Sequence, residues 1–241
     1  MQLRYKMTEY EDVIRIDFKN RRLDRQKINN SLVYTSIKNN NRDSFFNNIN
    51  IKEWKRILED LKIDIDTFFT KCKKDDLFCK LASRNLSKLS SRQGCKDENE
   101  QLKVCIIAGL SNNIQIKNIS TRGVKPSKNG KIFNNTYVKK NKIKTIDCLK
   151  SFDGEISGKV KGYISCKICY DNGGHQDNVF EELYNIGEWW RKFKNNSKEI
   201  MVLCIDTDLE NKLQSLIDEF KESNNVYIFN HIKFQEFILN Y

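Results

Sequence analysis

Residues Ser151–Trp190, SFDGEISGKVKGYISCKICYDNGGHQDNVFEELYNIGEWW, decide how the rest of the chain is read. Two β-prone runs flank a Ser-Gly turn near Ser157–Gly158, a Gly173-Gly174 turn follows, and then apolar residues recur at helical spacing. In the run Tyr163–Ile168, alternate side chains share a face. Tyr163, Ser165 and Lys167 therefore lie on one side, and Ile164, Cys166 and Ile168 on the other. The helix that follows carries Val179, Leu183, Ile186 and Trp190 as its apolar stripe, with Asp177 expected as its N-cap. Asp153 at the first strand, Lys167 on the second and Glu181 early in the helix are placed to meet.

Carboxylates and a lysine in that arrangement suit phosphodiester hydrolysis. The reaction needs a divalent cation held by one or two carboxylates with waters retained. It also needs a positive group beside the attacking water or the developing charge. Asp153 and Glu181 are the expected metal ligands, and Lys167 is expected to orient or deprotonate the water. Asp147, Glu155 and Glu98 are alternative or supporting acids.

The charge distribution points the same way. The 241 residues carry a net +11, but unevenly. Residues 1–100 hold 22 basic and 16 acidic side chains, residues 101–146 hold ten basic and none acidic, and residues 147–241 hold 11 basic and 16 acidic. A cationic middle beside an acidic carboxyl-terminal part suits a protein that grips phosphates and holds a metal. Segment 114–146, with turn signals at Arg122-Gly123, Lys125-Pro126 and Asn129-Gly130, is the expected DNA-binding segment. Arg122, Lys125, Lys128, Asn129 and Lys131 are its candidate contacts. Arg92, Gln93, His175 and Gln176 are further candidates.

Outside this region the reading is coarser. At 39% hydrophobic and 11% aromatic residues the chain is globular. Its eight cysteines are expected to be free thiols in an intracellular, cytoplasmic protein. No apolar run approaches the ~18 residues of a membrane span. Residues 1–90 read as a helical amino-terminal region, with helical spacing over 10–19, 51–62 and 65–90 and an Asn-rich loop over 38–50. This region would serve as structural support, a dimer face or a wall of a DNA cleft. Residues 91–241 read as the core, opening with a helix after Gly94. Thr145–Leu149 and Ile200–Ile205 are expected strands. Leu209–Phe220 is an expected helix capped by Asp208, followed by strand Val226–Phe229 and helix Phe234–Leu239. The fold class is α/β, a central mixed sheet flanked by helices. A rival reading joins Cys166 and Cys169 with Cys148 and His175 as a zinc site in a non-cleaving DNA-binding module.

With these residues in view, the chain resembles the PD-(D/E)XK nuclease superfamily, which includes most type II restriction endonucleases. That pattern has an aspartate on one strand and (D/E)-x-K on the next. Here Phe152 stands where the proline would be, and Ser165 where the second acid would be. Several restriction enzymes share S-x-K and take the acid from the following helix. Lys167 and Glu181, with 13 residues between them, match that variant. The segments GGHQDN and SRQGCKDE also look like stretches of some restriction enzymes. The resemblance implies a restriction-endonuclease-like fold and Mg2+-dependent cleavage of double-stranded DNA, with Mn2+ able to substitute. It also implies a cognate DNA methyltransferase in the same genome; if the target is palindromic, a two-fold homodimer follows, with one active site per strand. A repair or junction-resolving nuclease is the alternative within the superfamily.

Overall fold

The structure, a computed structural model, describes residues 13–88, 94–110, 112–170 and 174–240, with the side chains of residues 94, 95 and 174–176 left out. The described residues form two units: Asp17–Cys95, and a sheet unit of Lys96–Tyr241 joined by residues 13–16.

The first unit is helical: α1 (Phe18–Lys38), α2 (Arg42–Asn48), α3 (Ile51–Leu61), α4 (Ile65–Lys74) and α5 (Asp76–Leu86). Each helix opens on an Asp or Asn whose side chain accepts a backbone N–H of the first turn: Asp17, Asn41, Asn50, Asp64 and Asp75. Helix therefore begins at Phe18, so residues 13–17 of the 10–19 stretch expected to be helical are not, while residues 10–12 lie outside the described residues. Likewise, residues 38–50 are not a continuous loop. Asn41 caps α2, and Phe45 from its middle is buried edge-on against Trp54 and Phe69. Asn-rich composition hid a helix that Asn41 caps and the buried Phe45 anchors.

The second unit is built on a five-stranded mixed sheet. Helix α6 (Gly94–Leu110) leads into β1 (Ile114–Asn118). The short pair β2 (Lys125–Pro126) and β3 (Ile132–Phe133) and helix α7 (Asn135–Lys140) follow. Then come β4 (Gly154–Gly158), β5 (Gly162–Cys169), α8 (Gly174–Lys194), β6 (Ile200–Thr207), α9 (Glu210–Phe220), β7 (Val226–Phe229) and α10 (His231–Leu239). The strand order is β1-β4-β5-β6-β7, antiparallel through β5 and parallel from β5 to β7. The two parallel connections pass through α8 and α9, as crossovers of that length require.

Both faces of the sheet are covered. One packs Ile164, Cys166, Val202 and Cys204 against Leu102 of α6 and Phe234 of α10. The other packs Met201, Leu203 and Ile205 against Leu183, Ile186 and Trp190 of α8 and Phe220 of α9. Gly154 lets α6 approach closely, since a Cβ there would meet Ile164 at 2.7 Å and Leu102 at 3.2 Å. Burial on both faces explains the unbroken apolar run of β6.

Three local expectations differ from the structure. Thr145–Asp147 is a 3-10 turn, not a strand. Helix α8 begins at Gly174, so Asp177 is in its first turn and pairs with Lys212 instead of capping. Leu209 occupies the N-cap position of α9, where Thr207 Oγ1 accepts its N–H. No helix among the described residues is long and apolar enough to cross a membrane.

Candidate functional site

The site lies where β4 parts from β5. Asp153 immediately precedes β4, and its N–H still donates to Ile164 O at 3.0 Å. One residue further along the ladder, its side chain replaces the backbone: Oδ2 accepts the Cys166 N–H at 2.8 Å and the Ser165 hydroxyl at 3.4 Å. Asp153 Oδ1 accepts no hydrogen bond among the described residues. Burial raises the Asp153 carboxyl above the ordinary aspartate range. The Cys166 N–H and the Lys167 charge oppose that rise, and Glu182 adds to it.

Lys167 leaves β5 on the face covered by α8. Its Nζ lies 2.8 Å from Glu182 Oε1, with both side chains 17% exposed. Glu182 Oε1 lies outside regular hydrogen-bond geometry, so the contact is one of charge against charge. Burial works to lower the Lys167 pKa, but Glu98, Glu182 and Asp153 together outweigh it and hold it above the ordinary lysine value. The ammonium is therefore charged at neutral pH. It can orient a water or stabilise an anion, but it does not act as a base in this state.

The helix acid beside Lys167 is thus Glu182, while Glu181 is exposed. The reason is helical geometry. At about 100° per residue, Glu181 falls about 170° from the centre of the Val179–Leu183–Ile186–Trp190 stripe, and Glu182 about 70°. Spacing from the lysine pointed to Glu181, whereas the stripe itself points to its neighbour. Glu98, in the early turns of α6, is near enough for its charge to act on Lys167. The other two acids lie elsewhere. Asp147 is exposed in the 3-10 turn, where its carbonyl accepts the Lys128 N–H. Glu155 stands opposite Tyr163, whose hydroxyl is pushed up by burial and then by the Glu155 charge. Tyr163 is four residues from Lys167, or about 13 Å along the strand.

Behind the site runs a polar network that the sequence did not disclose. Gln101 Nε2, fully buried on α6, donates to Lys167 O at 3.2 Å and to Asp206 Oδ2 at 2.6 Å. His231 Nδ1 lies 2.7 Å from Asp206 Oδ1, and its Nε2 accepts the Ile16 N–H at 3.1 Å. The acceptor role of Nε2 places the imidazole proton on Nδ1, facing the carboxylate. The network ties α6, β5, β6, α10 and the residues before Asp17 together. Asp206 thus has a structural role at the end of β6.

Cys166 and Cys169 point to opposite faces of the sheet, so this C-x-x-C does not converge. Cys166 instead meets Cys105 and Cys204, all three sulfurs lying within 4.8 Å of one another. No fourth His, Cys, Asp or Glu ligand joins the trio among the described residues. Burial holds Cys105 and Cys166 well above the usual thiol range, as do the Cys105 hydrogen bond and then burial for Cys204. Protonated and dry, the three pack as small apolar side chains.

The cationic segment is carried on α8. Trp189 Nε1 donates to Ser127 O at 2.6 Å, and Ser127 Oγ donates to Lys131 O at 2.7 Å. Gly130 (φ 84°) leaves room for Phe193, which a Cβ would meet at 2.6 Å. Asn129 Oδ1 accepts the Lys131 N–H and lies 2.5 Å from Ser127 Oγ, so this side chain braces the turn. Arg122, Lys128 and Lys131 are exposed and Lys125 is half-buried. None of the ten cations between residues 101 and 146 pairs with a carboxylate among the described residues. Many cations elsewhere do, Lys38, Arg42, Arg191 and Lys212 among them. Arg92 and Gln93 lie outside the described residues, as do the side chains of His175 and Gln176.

No family model, curated protein or solved structure matches the chain.

Proposed function

We propose that the chain is a metal-dependent endonuclease that cleaves double-stranded DNA at a specific sequence, in the manner of a type II restriction enzyme with a restriction-endonuclease-like fold. The convergence of Asp153, Lys167 and Glu182 where β4 parts from β5 carries this reading. The cations of segment 114–146, which pair with no carboxylate among the described residues, are the expected grip on the duplex, with Arg122, Lys125, Lys128 and Lys131 contacting phosphates.

The residues present fit a hard divalent ion. Asp153, Glu182 and Glu98 bring three carboxylates toward one ammonium, Asp153 keeps an oxygen open, and burial makes its ionised form costly without a cation. Asp153 and Glu182 would hold Mg2+, or Mn2+ in its place. When bound, the ion supplies Lewis-acid activation of water and of the phosphate. The protein's own contributions are more specific. The Cys166 N–H and Ser165 hydroxyl fix the Asp153 carboxylate, Gln101 fixes the Lys167 main chain, and the Lys167 ammonium stabilises negative charge developing on the phosphoryl oxygens. Relocation of the second acid to α8 leaves Ser165 free for this positioning work.

A homodimer would present one site to each strand of a palindromic target, and a cognate methyltransferase would protect the host. Incubating wild-type protein with sequenced plasmid and Mg2+, then mapping the ends, tests the reading. Discrete fragments sharing one end sequence support it. Random degradation, or fragments made only from branched DNA, would shift it to another nuclease class.

A further inference from the structure

A groove of about 510 Å3 lies between β3, α7 and the last turn of α8. Its volume falls within the ~300–1,000 Å3 range of small-ligand pockets. One wall is an aromatic pair: Phe133 and Tyr137 stack face to face, with centroids 4.7 Å apart and planes 13° from parallel. Tyr137 remains 48% exposed. Tyr137 and Phe133 are therefore not hidden core, and stacking on Phe133 holds the tyrosine ring in one orientation. Two further features hold the platform. Phe133 pairs with Lys125 across the β2–β3 ladder, and the Asn134 side-chain carbonyl accepts the Tyr137 N–H at 2.8 Å.

The electrostatics of the groove are one-sided. Lys194 already has Glu199 at 2.8 Å, but Lys131 is exposed and pairs with no carboxylate among the described residues. Segment 101–146 around it holds ten cations and no acid. An aromatic face beside an unneutralised ammonium matches a nucleotide: a flat base and a phosphate. In a continuous duplex both faces of each base are covered by its neighbours, so only an unpaired or terminal base offers a face to stack. The groove shares α8 with Glu182. Phe193, which packs on Gly130, is 11 residues further along that helix, or about 16 Å. One bound DNA molecule can span that interval.

We propose that this groove binds an unpaired nucleotide of the DNA, its base stacked on the open face of Tyr137 and its phosphate on Lys131. The inference rests on the reading of the chain as a DNA-binding enzyme, and it adds to the duplex grip a single-strand-selective subsite that shares Lys131 with it. A base stacked on an aromatic side chain gains enough that its loss weakens binding by about 5-fold to 150-fold.

The test measures affinity of the full chain, in chelator at low salt, for a short thymidine oligonucleotide and for a blunt duplex. Tyr137→Ala and Tyr137→Leu should each lower the single-strand to duplex affinity ratio by that factor, and Tyr137→Trp should restore it. The leucine variant retains an apolar partner for Phe133, so a loss common to both substitutions reports the missing ring and not a collapsed wall. An unchanged ratio in the alanine and leucine variants, or failure of tryptophan to restore it, overturns the subsite while duplex cleavage still stands. Wild type that binds neither DNA overturns the subsite together with the functional reading beneath it.

Discussion

Replacing Glu182 by Gln tests the placement of the helix acid against its neighbour Glu181. At 2.8 Å, with an effective dielectric near 20, the Lys167–Glu182 attraction is about 6 kcal/mol before desolvation. Most of that is cancelled by the cost of burying the two charges. In Glu182→Gln the ammonium keeps Glu98 and Asp153 as counter-charges. The net loss of stability should therefore be about 1–3 kcal/mol, below the full cost of stranding a buried charge. Urea unfolding reads this directly. Glu181→Gln, on an exposed side chain, should stay within about 0.5 kcal/mol of wild type. Cleavage should divide the same way. Glu182→Gln loses a proposed metal ligand and falls by at least about 100-fold, while Glu181→Gln stays within about twofold. The alkaline limb gives a second readout. Lys167 has a raised folded pKa, so its contribution is complete below the unfolded lysine value and disappears as pH rises through the folded one. Glu182→Gln should move that loss to lower pH. Inactive Glu181→Gln beside active Glu182→Gln would refute the reasoning.

Three further expectations follow from the geometry. Because the folded pKa of Asp153 is raised, its contribution to stability diminishes as pH climbs from the unfolded aspartate value through the folded one, and above that the buried carboxylate is a cost. Asp153→Asn should therefore raise the Tm at neutral pH in chelator and abolish the Tm increase that Mg2+ gives wild type, both measurable by calorimetry. Lys128→Gln combined with Lys131→Gln should reduce the slope of log affinity for duplex DNA against log salt by about 0.9 per phosphate contact removed, read by fluorescence anisotropy. Trp189→Phe removes the 2.6 Å donor of the Ser127 carbonyl but leaves the Gly130 N–H on it, and should cost about 0.5–1.5 kcal/mol in chemical denaturation.

Much of the sheet unit was legible from period alone. Strand β5 showed its alternation, β6 its continuous apolar run, and α8 its stripe, because each buries one or both faces in the expected way. What escaped was set by contacts distant in sequence. Gln101, Asp206 and His231 form a network only because α6, β6 and α10 meet, and no local pattern links residues 25 and 105 positions apart. Helix α2 was obscured by asparagines, though Asn41 is what starts it. The candidate site fell between these cases. Asp153 and Lys167 follow from strand and turn, but choosing between Glu181 and Glu182 required measuring angle around the helix as well as distance along the chain.

Plasmid cleavage with and without Mg2+, by wild type, Lys167→Ala and Asp153→Asn, tests the central claim most directly. The site predicts discrete Mg2+-dependent fragments from wild type and none from either variant, while both variants still bind duplex DNA. Undiminished cutting by Lys167→Ala or Asp153→Asn, or no Mg2+-dependent cutting of any duplex by wild type, would contradict it.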